Sequence, residues 1–433
     1  MEVLLGCLLC GLFIVLQYLL TRRKANKLPP GPARLPIIGN LHNLGSQPHR
    51  SLADLAKIHG PLMSLKLGQV TTIVASSPAV AKEILQKQDQ LLSDRQVVLA
   101  VRALDHHQFS VAWLPVGSKW RNLRKISNSH LFATQKLDFN EELRREKVQE
   151  LMEDVRRNAS ERPGEAVDVG RAAFRASLNA VSRTMFSLDL ADDGQRSDTA
   201  REFKEVSRLI LEEAGKPNLG DYFPLLARWD LQGIQRRMTI HFGKVFVSAM
   251  KQLGLVVLCG LGSICALQTI FTIRLGYAIF TPPTVFDMFG KVIDERLRQR
   301  ESEGYVSAND MLDMLLDIGA DQNSREETAM DPLRIKHLFF DLFLAGTDTT
   351  SSTLVFLGSE VDAKGNYFEL IPFGVGRRIC PGLPLATRML HMMLGSFDWK
   401  LGDEIVPEML DMEEKFGISL EKAKPLFVVM TPR

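Results

Sequence analysis

The stretch from Phe373 to Gly382 reads Phe-Gly-Val-Gly-Arg-Arg-Ile-Cys-Pro-Gly and is the most informative part of this 433-residue chain. Its single cysteine, Cys380, follows Gly376 and Arg378 and precedes Gly382. Glycines let backbone N–H groups come close to a sulfur atom, and a guanidinium group matches a carboxylate with two hydrogen bonds. The pattern therefore predicts a loop built around one thiolate.

Each residue type in this loop suits a thiolate that binds haem iron. A Cys380 thiolate can ligate the iron and push electron density toward O–O cleavage. The two glycines, Gly376 and Gly382, would let N–H groups stabilise the sulfur, and Phe373 would screen it from water. Arg378 would meet a haem propionate, and a helix starting after the next proline would direct its positive end toward the sulfur. The alternative is an inert buried cysteine in a glycine turn.

Composition narrows the class of protein around this loop. Lys plus Arg is 53 and Asp plus Glu is 51, so the net charge is near +2 and no nucleic-acid partner is expected. Hydrophobic residues make up 45% of the chain and charged residues 24%, which fits a folded globular protein. The other four cysteines lie in two apolar stretches, so Cys380 has no disulfide partner in the soluble part.

The first 27 residues are predicted to be a membrane anchor with a basic flank. Val3 to Leu20 carries no charge and is long enough to cross a bilayer core as a helix. Four basic residues follow between positions 22 and 27, which favours a cytoplasmic location for the rest of the chain. A cleaved signal peptide is the alternative, but no small-residue cleavage site is evident. The prolines between Leu28 and Pro32 then predict a stiff, extended hinge.

The remaining patterns predict a mainly α fold with a small β-sheet. Ser51 to His59 has a helical pattern, and Leu62 to Ala75 alternates as two strands that turn near Gly68. Ser77-Pro78 opens a helix that runs to about Gln90. Asp331-Pro332 starts another helix, with Asp331 as its N-cap and an apolar face at helical spacing.

These motifs together resemble the cytochrome P-450 superfamily of haem-thiolate monooxygenases, in its plant microsomal type. Residues 368 to 388 look similar to the plant subgroup that hydroxylates monoterpene alcohols and related small lipophilic molecules. The resemblance covers most of residues 28–246 and 287–433 and implies haem b with Cys380 as its axial ligand. It also implies O2, an NADPH-dependent flavin reductase, and an endoplasmic reticulum membrane location with a single-pass anchor and a cytoplasmic catalytic domain.

A second motif, from Ala345 to Thr350, lies within the helix that begins at Pro332. It is similar to the family's oxygen-side helix, in which Ala345 and Gly346 face the haem. Gly346 would leave room for the haem and O2, and Asp348 and Thr349 would deliver protons as the catalytic pair. Without the cysteine loop, such residues are more often a packing or kink feature.

A third motif is Trp120-x-x-x-Arg124, whose spacing places both residues on one helix face. In the family this pair meets the haem propionates, although Trp and Arg pairs commonly just pack. Residues 96 to 115 resemble the loop that roofs the substrate pocket. The two histidines within it, His106 and His107, are interpreted as solvated or packed side chains, because no partner for a metal is evident.

The family pattern breaks between Leu354 and Val355. Thr349 and Cys380 are 31 residues apart, whereas the family places a long region there, including a helix with Glu-x-x-Arg. No such pair occurs in this interval, and upstream matches such as Glu295-x-x-Arg298 look like surface pairs. The fold is therefore predicted to be an incomplete cytochrome P-450 fold, spanning residues 28–433.

The second break is an apolar insertion at residues 247–286. Gln252 to Ile273 has no charge, and removing 247–286 joins Phe246 to Asp287 in one continuous amphipathic helix. A true second membrane segment is the alternative. Both breaks suggest a mispredicted or alternatively spliced gene model. Two hypotheses follow: a haem monooxygenase, or a membrane-bound, non-catalytic isoform that cannot hold haem stably.

Overall fold

The computed structural model describes residues 28–161, 166–190, 198–244, 285–320, 329–356, 368–401 and 410–433. The predicted anchor and the apolar stretch 252–273 lie outside these residues. Within the described ranges, none of the helices combines the length and apolar character that a membrane crossing needs. The chain divides into two compact units. The first contains the described residues of 28–93, 217–234 and 368–380, and the second contains the others.

The first unit is built on a two-stranded antiparallel sheet next to short helices. Its elements are α1 (Pro48–His59), β1 (Leu62–Leu67), β2 (Val70–Ala75), α2 (Pro78–Lys82), α3 (Asp89–Leu92) and α9 (Leu219–Tyr222). Leu67 pairs with Val70, so Gly68 and Gln69 form a two-residue turn, with Gly68 at φ +57°. The predicted hairpin and first helix are confirmed. A π-helical turn at Glu83–Lys87 continues the helix predicted from Ser77.

The predicted hinge is fastened to strand β1. The N–H group of Ser64 donates to the carbonyl of Pro30 at 2.8 Å, and the Ser64 hydroxyl donates to the carbonyl of Pro29 at 2.6 Å. A side chain at Gly31 would place its Cβ 1.9 Å from the Ser64 carbonyl oxygen. The start of the described chain is therefore held by backbone pairing as well as by proline stiffness.

The second unit is mainly helical. Its helices are α4 (Ser118–Ile126), α5 (Thr134–Phe139), α6 (Glu141–Glu161), α7 (Val169–Phe186), α8 (Asp198–Gly215), α10 (Ile234–Lys244), α11 (Val285–Arg300), α12 (Met311–Ala320), α13 (Pro332–Phe356) and α14 (Leu383–Gly395). Its strands are β3 (Val167–Asp168), β4 (Phe397–Leu401), β5 (Glu414–Lys415), β6 (Glu421–Lys422) and β7 (Phe427–Pro432). The mainly α class is confirmed, and its strands pair as β3-β7-β4 and β5-β6.

Helix α13 occupies the middle of the second unit and packs on α7, α8 and α11. It begins as predicted, because the Asp331 carboxylate accepts from the N–H group of Arg334 at 2.8 Å. Phe339 and Phe343 are buried among the rings of Phe186 and Phe289, with centroids 4.8 to 5.9 Å apart. The helical backbone continues to Phe356, past the joint at residues 354 and 355.

A buried ion cluster ties α11 to α12. The two terminal nitrogens of the Arg296 guanidinium, Nη1 and Nη2, donate to Asp310 at 3.0 and 2.8 Å. Nη1 also lies 3.0 Å from Asp313. All three side chains are buried. In contrast, Arg298 and Glu295 form an exposed pair at 2.7 Å, in agreement with the prediction of a surface pair.

Replacing Arg296 with Met should lower the free energy of unfolding by about 3–5 kcal/mol, since two carboxylates would remain buried without their partner. The matched change Arg298→Met should cost less than about 1 kcal/mol, because exposed pairs contribute little. Denaturant unfolding followed by circular dichroism measures both. Equal losses in the two variants would contradict this assignment.

Candidate functional site

The cysteine loop lies in the first unit and is closed by backbone hydrogen bonds. The N–H group of Cys380 donates to the carbonyl of Phe373 at 2.8 Å, and that of Ile379 donates to Gly376 at 3.1 Å. Gly376–Arg378 forms one 3-10 turn between them. The thiol of Cys380 is half-buried and forms no disulfide within the described residues. The loop thus presents one sulfur from a tight turn, as the sequence predicts.

Gly376 is required for a reason that the sequence did not reveal. Its φ is +70°, and an added Cβ would lie 2.0 Å from the carbonyl oxygen of Leu85. Gly374 also has a positive φ, +67°, but its added Cβ would have no neighbour closer than 3.9 Å. Close approach of the helical segment at Leu85, in addition to backbone conformation, therefore excludes a side chain at Gly376.

Two arginines attach the loop to the end of the α2–α3 segment. The backbone N–H and the guanidinium of Arg377 donate to Asp89, at 3.1 and 3.3 Å. The Nε atom of Arg378 donates to the carbonyl of Ser93 at 2.8 Å. Sequence reasoning assigned Arg378 to a propionate and missed Asp89, because 288 positions separate Asp89 from Arg377.

The other predicted residues belong to the second unit. Gly382 is the N-cap of α14, which begins at Leu383. Trp120 and Arg124 lie one turn apart on α4, as their spacing predicts. Trp120 is buried, and its Nε1 atom donates to the carbonyl of Val111 at 3.1 Å. The indole is thereby held against the segment that precedes α4.

Ala345 and Thr349 form an exposed patch on α13, one turn apart, in a stretch where most neighbours are buried. The Thr349 hydroxyl donates to the carbonyl of Ala345 at 2.5 Å. Gly346 points elsewhere: an added Cβ would lie 3.3 Å from Cγ2 of Val181, so this glycine allows α7 to approach. Its predicted role toward a cofactor stays a prediction.

Asp348 is buried on another face of α13. Burial, strengthened by the nearby Glu421 carboxyl group on β6, raises the pKa of Asp348 to about 7, against a small opposing effect of Lys204. Its Oδ2 atom has no hydrogen-bond donor among the described residues. A carboxyl group with this pKa holds and releases a proton near neutral pH, which suits general acid catalysis. No sequence pattern relates Asp348 to Glu421.

A buried polar cluster on α13 was missed by sequence reasoning. His106 was predicted to be either solvated or packed, and the structure shows it packed and buried. It contacts both His337 and Asp341, each at 3.0 Å. Burial, and then the neighbouring His106, lower the pKa of His337 to about 3. His337 therefore remains neutral at physiological pH.

The residues of each unit fit a haem group. In the first unit, the half-buried sulfur of Cys380 forms no disulfide in the part of the chain that the structure describes, and it lies in a loop with two arginines. In the second unit, the exposed Ala345–Thr349 patch leaves one face of a largely buried helix open. Thiolate, guanidinium and small side chains are the groups that such a cofactor needs.

Comparison with protein families gives a match to the model described as Cytochrome P450. The match covers residues 29–252, 283–358 and 355–427. It is interrupted between residues 252 and 283, and its last two parts meet near residue 355.

The curated relatives are plant enzymes. Geraniol 8-hydroxylase of Swertia mussotii is 42% identical over 518 positions, covering 95% of this chain and 94% of that protein. Geraniol 8-hydroxylase of Catharanthus roseus is 41% identical, with 94% of each chain covered. A geranylhydroquinone 3''-hydroxylase of Arnebia euchroma is 37% identical, with 95% of each covered. The 518 positions of the first alignment exceed the 433 residues of this chain, so part of that relative has no counterpart here.

The Gly376→Ala variant should lose more than about 3 kcal/mol of unfolding free energy, because left-handed strain adds to the clash with Leu85. Gly374→Ala is the matched control, with similar strain and open space, and should lose about 1–2 kcal/mol. Denaturant unfolding measures both changes. A loss at Gly376 no larger than at Gly374 would show that the Leu85 contact does not constrain the loop.

Acidification should destabilise the protein through His337. The unfolded chain binds a proton at this residue near pH 6.5, whereas the folded chain does so only near pH 3. Stability should therefore fall by about 1.4 kcal/mol per pH unit in that window. His337→Phe keeps an aromatic ring and should remove this part of the slope, and His391→Phe, at an exposed position, should keep it. Unfolding curves at several pH values test the difference, and identical slopes in both variants would refute it.

Proposed function

Since the chain belongs to the cytochrome P450 family, whose monooxygenases hold haem iron through a cysteine thiolate, we propose that it hydroxylates a small terpenoid alcohol or a related lipophile. The observation that carries this proposal is the cysteine loop with its half-buried Cys380, within a chain that matches two geraniol 8-hydroxylases over 94–95% of its length. A hydroxylase of a geranyl compound among the relatives supports the same substrate class.

The proposed roles in the first unit follow from the loop. Cys380 would hold the haem iron through its thiolate and is therefore the proposed metal-binding residue, and haem b, when bound, would supply the oxygen-activating chemistry. Gly376 allows the turn that presents the sulfur, and Phe373 shields it from water. Arg378, held at its Nε atom by Ser93, carries a guanidinium group of the kind that pairs with a propionate.

In the second unit, Arg124 is the proposed propionate donor on α4. Trp120 lies one turn from it, with its single N–H group bonded to the carbonyl of Val111, and is proposed to pack beside the cofactor. Gly382 starts α14. Ala345 and Thr349 provide a helix surface without bulky side chains. Gly346 lets α7 approach on another side, and its proposed role toward the cofactor rests on the family pattern alone. Small side chains at this point allow a flat cofactor and a small substrate to come close to the helix.

Asp348 and Thr349 are the proposed proton-handling residues. The carboxyl group of Asp348 holds a proton near neutral pH because it is buried beside Glu421. The Thr349 hydroxyl is exposed on the open patch and is oriented by its bond to Ala345. The pair can pass protons from the interior of the unit to that patch, with water linking the two groups.

The partners and location are part of the proposal. Electrons come from an NADPH-dependent flavin reductase, as family membership implies, and O2 is the co-substrate. The apolar residues 3–20 and their basic flank support a single-pass anchor in the endoplasmic reticulum membrane, with the catalytic domain in the cytoplasm.

A second candidate is a membrane-bound, non-catalytic isoform. The family match is interrupted at 252–283, and the alignment to a relative is longer than this chain. These observations support an insertion near 247–286 and a missing segment at residues 354/355, where the Glu-x-x-Arg helix of the family is expected. Loss of a core segment exposes apolar surface and unpaired polar groups, which weakens cofactor binding.

Expression of the full chain in microsomes with a plant flavin reductase separates the two candidates. If the chain is a monooxygenase, reduction under carbon monoxide should give the absorption band of thiolate-ligated haem, and geraniol with NADPH should yield an oxygenated product. Cys380→Ser is the matched control and should lose the band and the product while the amount of protein is unchanged.

Absence of the band from the unmodified chain would support the non-catalytic isoform. A band without any product from geraniol and related alcohols would refute the substrate class and leave the haem assignment standing. Sequencing of full-length transcripts tests the gene-model hypothesis, because an abundant transcript encoding this chain would count against misprediction.

A further inference from the structure

A buried hydrogen-bonded cluster joins residues 106–111 to the first half of α13. The His106 Nε2 atom lies 3.0 Å from Oδ1 of Asp341, and its Nδ1 atom lies 3.0 Å from Nδ1 of His337. The Ser110 hydroxyl donates to Asp341 Oδ1 at 2.9 Å, and the N–H group of Val111 donates to Oδ2 at 2.8 Å. One carboxylate therefore has three partners from a single segment.

Aromatic rings enclose this cluster. Phe109 stacks on His337, with centroids 4.5 Å apart and planes 10° from parallel. Phe340 and Phe242 meet His106 edge-on, at 5.0 and 6.0 Å. The rings limit the access of water to the polar atoms, and hydrogen bonds are stronger in such surroundings than in water.

The backbone just before His106 has an unusual, left-handed conformation. Leu104 and Asp105, two residues that are not glycine, have φ values of +51° and +54°. Such conformations persist only when surrounding contacts impose them. His106, the next residue, makes buried polar contacts with His337 and Asp341 of α13.

The cluster is in line with the open patch of α13. His337, Asp341, Ala345 and Thr349 follow one another at intervals of four residues and so share one helix face. Asp341 is one turn from Ala345, a rise of about 5–6 Å along the axis. The residues fastened to Asp341, Ser110 and Val111, therefore begin directly next to the exposed patch.

The backbone of Val111 also links α13 to α4. Its N–H group donates to Asp341, and its carbonyl accepts from the Trp120 indole at 3.1 Å. A shift of this residue would change both bonds. The position of the segment beside α13 is thus coupled to the position of Trp120.

We propose that Asp341 and His106 are positioning residues for the proposed hydroxylation: they hold residues 109–112 as a fixed wall beside Ala345 and Thr349, against which the substrate lies. This inference rests on the proposed function. It adds an explanation of which carbon of the substrate is oxidised. In this proposal, that choice depends on the hydrogen bonds of Asp341 to His106, Ser110 and Val111, although the substrate does not touch Asp341 or His106. Among the described residues, the charged or titratable groups around Asp341 and His106 include Arg95, His107, Lys336 and His337.

The test compares Asp341→Asn with Asp105→Asn. The amide at 341 has the shape of the carboxylate but only one acceptor oxygen for three partners. Asp105 is exposed and left-handed, a conformation that Asn tolerates, so the same chemical change there is a matched control. His106→Phe is a second variant, which keeps the aromatic packing and removes both polar contacts of the ring.

Hydrogen exchange of the purified full chain is the first readout. Amide exchange over residues 106–112 should rise at least about tenfold in Asp341→Asn and in His106→Phe, and remain unchanged in Asp105→Asn. Exchange in the core of α7 should not change in any variant. Unchanged exchange at 106–112 in both test variants would overturn the attachment.

The product ratio is the second readout, because a purely structural role would not alter it. With geraniol as the probe, Asp341→Asn should change the ratio of oxygenated products per haem, and Asp105→Asn should preserve it. A haem-loaded variant with a loosened segment and an unchanged ratio would overturn the positioning role alone. Absence of the haem band from the unmodified chain would overturn the proposed function, and the positioning role with it.

Discussion

Burial of helix α13 is the constraint on which the second unit depends. A 25-residue helix that lies between α7, α8 and α11 must satisfy every polar group on its buried faces from its neighbours. Phe339 and Phe343 supply the apolar contact with Phe186 and Phe289. The polar residues of the helix then determine which other segments have to come close.

Two carboxyl groups on this helix meet that requirement in opposite ways. The carboxyl group of Asp341 has hydrogen-bond partners in His106, Ser110 and Val111. Asp348 has a buried oxygen without a donor among the described residues, and its pKa rises to about 7 beside Glu421. The first carboxylate fixes a segment in place, and the second becomes an acid that can exchange protons at neutral pH. The positions of Asp341 and Asp348 on the helix do not explain why the two carboxyl groups behave differently. The explanation lies in the residues that surround each of them.

In the first unit, a steric constraint has the corresponding role. The cysteine loop approaches the backbone at Leu85 so closely that position 376 has no room for a side chain. The Arg377–Asp89 pair and the Arg378–Ser93 bond then attach the loop on either side of this contact. The conformation of the loop is therefore set by its contacts with Leu85, Asp89 and Ser93. This conformation determines where the sulfur of Cys380 lies. The family match, interrupted near residues 252 and 355, keeps this loop and the patch on α13 within its matched parts.

The sequence determined those features that depend on a few neighbouring residues. These are the Asp331 cap of α13, the hairpin with its turn at Gly68, the helical pairing of Trp120 with Arg124, and the cysteine loop pattern. Capping, turn conformation and helical spacing act over one to four residues, so they can be inferred without a fold. Only the tertiary structure decided that Gly376 faces Leu85, that Gly346 faces Val181, and that Asp348 lies beside Glu421. His106 and Asp341 are 235 positions apart, and no local rule relates them; they meet because burial of α13 leaves a carboxylate that only a distant segment can satisfy.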